Sequence, residues 1–268
     1  MEVTIDENAD KVLIDENTDK VPIDENVAKV FRMYQKNNAL FLRAGNEILG
    51  QWTMKELHLF KGKLFLHCLN TLYQREEQDW LAMLHASAVS DGKSALLLAG
   101  NSGDGKSTAL SILLGSGLKY ITDDFVPLDA AQSFVFPFPV AISVKEGAFG
   151  TVEEFFPELK DIPKRAFKTK GESIKYLSPP KNSQDFFDGK PVKGIVFVEY
   201  KPGAKVELKE ISKSEAFYRI VTESWVSPDR KNVALFLNWF KEMPCYKLSY
   251  SDNYAMVQKV SDLFQDAV

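Results

Sequence analysis

The sequence predicts an α/β chain, a mixed β-sheet with helices packed beside it. Three stretches carry that expectation. An apolar run, Leu96–Ala99, meets the glycine-rich segment Gly100–Ser107 and continues as a short helical run, Thr108–Leu114, closed by Gly115 and Gly117. A second apolar strand begins at Leu118 and ends in the paired carboxylates Asp123 and Asp124. A third, Val192–Tyr200, is followed by a Lys-Pro-Gly turn and by amphipathic helical patterns over Ser212–Val221, Lys231–Phe240 and Asn253–Phe264.

Each position of the glycine-rich segment has a physical rationale. Gly100-Asn101-Ser102-Gly103-Asp104-Gly105-Lys106-Ser107 fits G-x-x-x-x-G-K-[ST], the phosphate-binding loop. The glycines permit positive φ and close backbone approach. Such a loop turns its N–H groups inward as an anion nest at a helix N-terminus. Residues Gly100 to Thr108 are therefore the expected nucleotide-phosphate site, with Lys106 reaching the β- and γ-phosphates of ATP and the Ser107 hydroxyl on Mg²⁺. The competing reading is a glycine-rich loop that binds nothing. Asp123 and Asp124 follow at a suitable distance along the chain: one carboxylate beside Mg²⁺ can hold the ion, and the other can accept a proton from an attacking hydroxyl. Strand-end turn aspartates are the plain alternative.

Composition narrows the classes. The chain has 268 residues, 45% of them hydrophobic and 12% aromatic, enough for one large or two small domains with a sizeable core. A formal net charge of −4 implies no broad basic surface, so nucleic acid is not an expected partner. No stretch approaches about 18 uninterrupted apolar residues, so no membrane span is expected. The acidic N-terminus lacks an apolar signal core. Cys68 and Cys245, the only cysteines, suit a reducing cytoplasm.

Three segments are expected in chain order. Residues 1–30 form an acidic arm in which Ile-Asp-Glu-Asn recurs at Ile5, Ile14 and Ile23. A calcium loop starting at Asp6 fails, because Lys11 replaces the required glycine and Asn17 the bidentate glutamate. Residues 31–79 read as a small α+β segment: a strand at Ala39–Arg43, a turn at Gly45-Asn46, and a helical apolar stripe from Leu57 to Tyr73 interrupted at Gly62. His58 and His67 lie there without a second ligand at metal spacing. Residues 80–268 form the phosphate-loop domain. In it, Leu81–Val89 is an apolar strand around His85 that turns at Ser90–Lys93 into the Leu96 strand as a hairpin. His85 is either structural or, one hairpin before the loop, part of the site. Lys145 is a candidate phosphate contact or a solvated strand-end lysine. Residues 150–190 are loop-rich, with Lys164, Arg165, Lys168 and Lys170 on a solvated face or an acceptor-recognition lid. Val206–Ile211 is expected to pair with the Val192 strand, Ser212-x-x-Glu215 to open a helix as a capping box, and Pro244–Ser249 to form the last strand.

The set "LHASAV", "GNSGDGKST" and "YITDDFV" resembles the HPr kinase/phosphorylase family, and more closely the wider group of HPr-kinase-related proteins, over about residues 80 to 126. Phe136–Lys145 and Lys193–Gly203 are similar to the related proteins rather than to true HPr kinases. The resemblance implies a phosphoenolpyruvate-carboxykinase-like fold. It also implies that Asp123 is the catalytic base, that Asp124 sits by the metal with Ser107, that Lys106 acts on the transferred group, and that His85 lies near the acceptor; the division between the two aspartates could be reversed. The Glu-Ile-Arg-Gly-Leu-Gly signature of true HPr kinases is absent, with Glu146 only a weak substitute, which puts HPr as substrate in doubt.

The expected function is an ATP- and Mg²⁺-dependent kinase acting on a hydroxyl of a protein, peptide or small-molecule acceptor, with self-association left open. A nucleotide-binding regulatory or scaffold protein is the alternative. Carboxykinase chemistry on a dicarboxylate would want an arginine, and Asp91–Lys164 contains none.

Overall fold

The computed structural model describes residues 2–5, 30–166, 173–180 and 187–265. Most of the acidic arm, the tested calcium loop, Lys168, Lys170 and Phe186 lie outside these. The chain divides into two compact units, Met1–Glu77 and Gln78–Val268.

The first unit is a four-stranded sheet with one long helix. Strands β1 (Glu2–Ile5), β2 (Val30–Lys36), β3 (Ala39–Ala44) and β4 (Glu47–Thr53) lie in that order. β1 runs parallel to β2, and the other pairs are antiparallel. Asn37 and Asn38 both take positive φ, 48° and 60°, which closes β2 to β3 as a two-residue hairpin. Helix α1 (Leu57–Tyr73) runs unbroken through Gly62, where a break was expected. A glycine costs a helix only about 1 kcal/mol, and buried Phe60, Leu64, Leu66 and Leu69 outweigh it.

The second unit is α/β. Its strands are β5 (Trp80–Leu84), β6 (Ser87–Ser90), β7 (Ala95–Ala99), β8 (Lys119–Thr122), β9 (Val126–Asp129), β10 (Phe134–Val135), β11 (Ile142–Lys145), β12 (Arg165–Ala166), β13 (Ser173–Leu177), β14 (Lys190–Tyr200), β15 (Glu207–Glu210), β16 (Trp225–Val226) and β17 (Cys245–Tyr250). Its helices are α2 (Lys106–Gly115), α3 (Phe149–Glu153), α4 (Lys213–Val221), α5 (Arg230–Glu242) and α6 (Asn253–Gln265). Ten strands form a mixed sheet in the order β16-β5-β9-β10-β14-β7-β6-β8, with β17 on β14 and β15 on β17. β11, β13 and β12 form a small separate sheet, which gives the expected loop-rich segment a strand at Ser173 to Leu177.

The centre of the large sheet is a parallel trio, β7–β14–β17. Both faces are covered, so β7 reads as a continuous apolar run. Leu96 and Leu98 pack with α2 and α6 residues such as Leu110, Leu113 and Val260, while Leu97 and Ala99 face Ala216, Ile220 and Phe236 of α4 and α5. β15 pairs antiparallel with β17, not with the β14 strand as expected, because both edges of β14 opposite that segment are taken by the two parallel partners.

The stretch from Trp80 to Ser90 is two strands, not one. β5 pairs with β9 and β16, whereas β6 pairs with β7 and β8. The break falls at His85-Ala86, where the Ala86 amide donates to the Leu84 carbonyl at 2.9 Å. β5 is held from outside by Asn232 on α5, whose Nδ2 donates to the carbonyls of Gln78 (2.8 Å) and Trp80 (3.3 Å) and to Ser227 Oγ (3.2 Å). Removing this buried donor by Asn232→Ala is expected to lower the free energy of unfolding by about 1–3 kcal/mol. Chemical denaturation checks this, and an unchanged midpoint with an unchanged slope would show that water replaces the amide at no cost.

Candidate functional site

The site is built where three elements leave the sheet side by side. β7 ends at Ala99 and the chain enters the Gly100–Ser107 loop. Gly100, Gly103 and Gly105 take φ of 148°, 101° and 97°. At Gly100 a side chain is also sterically barred, since a Cβ would lie 2.9 Å from the Val198 carbonyl oxygen. Asp104 ties the loop to itself: its Oδ2 accepts from the Asn101 amide at 2.7 Å, and its own amide donates to the Asn101 carbonyl at 3.1 Å. Its carbonyl accepts from the Tyr200 amide at 3.0 Å, which fastens the loop to the end of β14.

The loop's tip is open and its root is closed. Asn101, Ser102 and Gly103 are exposed; Asp104, Gly105, Ser107 and Thr108 are half-buried. Gly105 is the N-cap of α2, and no side chain caps that helix, so its first-turn amides are an anion-seeking end. Lys106 is buried, with its Nζ donating to the Gly100 carbonyl at 2.7 Å. A second ammonium approaches from β11, where Lys145 Nζ contacts Ser102 Oγ at 3.2 Å. Neither lysine has a carboxylate within ion-pair distance among the described residues, unlike Lys164 on Glu146 or Lys247 on Glu199. Two uncompensated cations on one glycine loop make a place for an anion.

Beside the loop lies Asp123, in the break between β8 and β9, 1% exposed. Thr122 Oγ1 donates to the Phe125 carbonyl at 2.9 Å and pins this turn. Three elements deliver donors to the carboxylate. Ser87 Oγ on β6 lies 2.6 Å and Ser107 Oγ on α2 3.2 Å from Oδ1; the Ser143 amide on β11 lies 3.3 Å from Oδ2. β11 is steered there by Tyr120, whose hydroxyl donates to the Val140 carbonyl at 2.7 Å. Burial pushes the Asp123 carboxyl up to about 6, and the neighbouring Asp124 charge adds to the rise against the three hydrogen bonds. Asp124 itself is exposed, on left-handed backbone at φ 57°.

The residues singled out from sequence thus fall into two groups. The loop, Lys106, Ser107, Asp123 and Lys145 come together. Ser107 meets Asp123, not Asp124 as the resemblance's division implied. His85 is turned elsewhere: its Nε2 lies 3.4 Å from Glu223, and its amide receives Ser224 Oγ as acceptor at 3.0 Å. Glu146 accepts from Lys164 and from the Ser173 amide. Ser87 and Ser143 were not singled out from sequence; a small hydroxyl inside a buried apolar strand was the available signal for Ser87.

A divalent cation has two protein oxygens here, Ser107 Oγ and an Asp123 carboxylate oxygen. No cluster of three or more His, Cys, Asp or Glu side chains suited to a metal occurs among the described residues. That set fits Mg²⁺, which takes one or two protein oxygens and fills its shell with water and phosphate. No helix among the described residues is long and apolar enough to cross a membrane. No protein-family model matches the chain, and no curated protein matches it.

In the metal-free protein the Asp123 carboxyl keeps its proton up to about pH 6, whereas in the unfolded chain it loses it near pH 4. The folded state therefore binds more protons across that interval, so this group lowers stability as pH rises from about 4 to 6, and the loss persists above. Asp123→Asn cannot ionise and keeps an acceptor oxygen for Ser87. In the presence of a chelator its Tm relative to wild type is expected to climb from pH 4 to pH 6 and level off by pH 7. A pH-independent difference would contradict the buried-carboxyl account.

Proposed function

We propose that the protein is an ATP- and Mg²⁺-dependent phosphotransferase acting on a hydroxyl, with the glycine loop as its phosphate-binding loop in a kinase-like α/β domain. The observation that carries the reading is the contact of Ser107 Oγ with the buried Asp123 carboxylate, at 3.2 Å, directly behind a loop that holds two uncompensated lysines. A hydroxyl and a carboxylate at that spacing can share one Mg²⁺.

In this reading Mg²⁺ neutralises phosphate charge, and the chain's own groups supply the rest. Loop amides and the α2 N-terminus hold the phosphates. Lys106 exchanges the Gly100 carbonyl for a phosphate oxygen and stabilises charge on the transferred group. Lys145 moves from Ser102 to the same anion. The contact with Ser107 puts Asp123 on the metal side. Asp124, exposed on the adjoining turn, is then the carboxylate left to accept the acceptor's proton. His85 faces Glu223 and takes no part as the partner of either aspartate. The acceptor is a hydroxyl of a protein, peptide or small molecule.

The division of labour is tested by separating binding from transfer. Asp123→Asn should weaken Mg²⁺-dependent nucleotide binding. Asp124→Asn should bind Mg²⁺ and nucleotide as wild type does, yet lose transfer by roughly 100-fold or more. The reverse pattern returns the base to Asp123. The activity itself is tested with γ-labelled ATP, Mg²⁺ and a size-fractionated lysate of the native host, with Lys106→Ala as the blank. Label in a macromolecular or a small-molecule fraction, seen only with active protein, identifies the acceptor class. Confirmed nucleotide binding without any labelled acceptor would favour a regulatory nucleotide-binding protein.

A further inference from the structure

We propose that the ring of Tyr200 is the platform on which the base of the phosphoryl donor stacks, so that the donor is a nucleoside triphosphate and not an inorganic polyphosphate. This rests on the phosphotransferase reading, which takes ATP as donor, and adds the residue that receives the donor's base, on which a phosphate-binding loop alone is silent.

Three observations support it. First, Tyr200 is the last residue of β14, the middle strand of the parallel trio, at the carboxyl end where open α/β sheets bind ligands. Second, it is registered against the loop: its amide donates to the Asp104 carbonyl at 3.0 Å, and a Cβ built on Gly105 would sit 3.5 Å from its own Cβ. A ligand whose phosphates lie on the α2 N-terminus has the Tyr200 ring beside it. Third, Tyr200 is 50% exposed, yet its ring is braced. Tyr250, buried at 1%, meets it edge-on, with centroids 5.7 Å apart and planes at 74°. That geometry is favourable for an aromatic pair and fixes the half-exposed Tyr200 in place. A π-face takes any base, so stacking here selects nucleotides as a class.

The experiment compares, in Mg²⁺, the binding of a non-hydrolysable ATP analogue and of inorganic tripolyphosphate to wild type, Tyr200→Ala, Tyr200→Phe and Lys106→Ala, by calorimetry. The expected result is that Tyr200→Ala weakens the analogue by about 5- to 100-fold and leaves tripolyphosphate unchanged. Tyr200→Phe should bind both as wild type does, and Lys106→Ala should lose both. A merely structural role for the ring would move both ligands together. Equal loss of both in Tyr200→Ala, or no loss of either, overturns the proposal while leaving the phosphate site intact in wild type. Failure of wild type to bind either ligand overturns the phosphotransferase reading and this inference with it.

Discussion

A carboxylate removed from water has to be supplied with hydrogen-bond donors, and in the larger unit that requirement organises everything near the glycine loop. Asp123 draws a hydroxyl from β6, a hydroxyl from the first turn of α2 and an amide from β11. Three segments far apart in sequence are thereby held to one point. Without these donors a charge at that depth would cost several kcal/mol. Even with them, burial leaves the carboxyl well above its ordinary range. A residue kept in so unfavourable a place, in contact with Ser107 at the foot of the glycine loop, is better suited to meeting a ligand than to holding the fold together.

The architecture places that point at the edge of a rigid platform. β7, β14 and β17 run parallel, and their carboxyl ends carry the loop, Tyr200 and Tyr250 respectively. The loop is fixed at its root by backbone contacts to β14 and open at its tip. This is a useful distribution of stiffness for a site that has to hold phosphate in one position while its outer residues exchange partners.

What could be read from the sequence is what local pattern encodes. The run Leu96–Ala99 into Gly-rich backbone, a helix over Thr108–Leu114, which starts at Lys106 in the structure, and the carboxylate pair closing β8 are each determined within a dozen residues. The amphipathic helices α4, α5 and α6 were legible for the same reason, from their period and, for α4, the Ser212 cap. What could not be read depends on strand partners. Trp80 to Ser90 is apolar on both sides of His85, so its pattern does not signal that the strand changes neighbours at His85-Ala86. That switch turns His85 toward Glu223 and brings Ser87 to Asp123. The pairing of β15 with β17, the approach of the Ser143 amide and the position of Tyr200 beside Gly105 are likewise set by topology. The nine-residue repeat of the arm has no counterpart in the described part beyond the parallel pairing of β1 with β2.

The register that sets Ala95 opposite Val192, and Leu98 opposite Val196, also has a consequence in time. The loop's root is closed by Val198 and Tyr200, and β14 is flanked in turn by β17 near the end of the chain. During synthesis the hairpin of β6 and β7, the helix α2 and the Asp123 turn all emerge early and can assemble among themselves. The platform beneath them cannot form until β14 and β17, which follow them in the chain, have been made. Long-range parallel pairing of this kind slows folding and leaves apolar strands exposed meanwhile. The nascent chain therefore carries its glycine loop, until β14 is made, without the strand that gives the loop its shape.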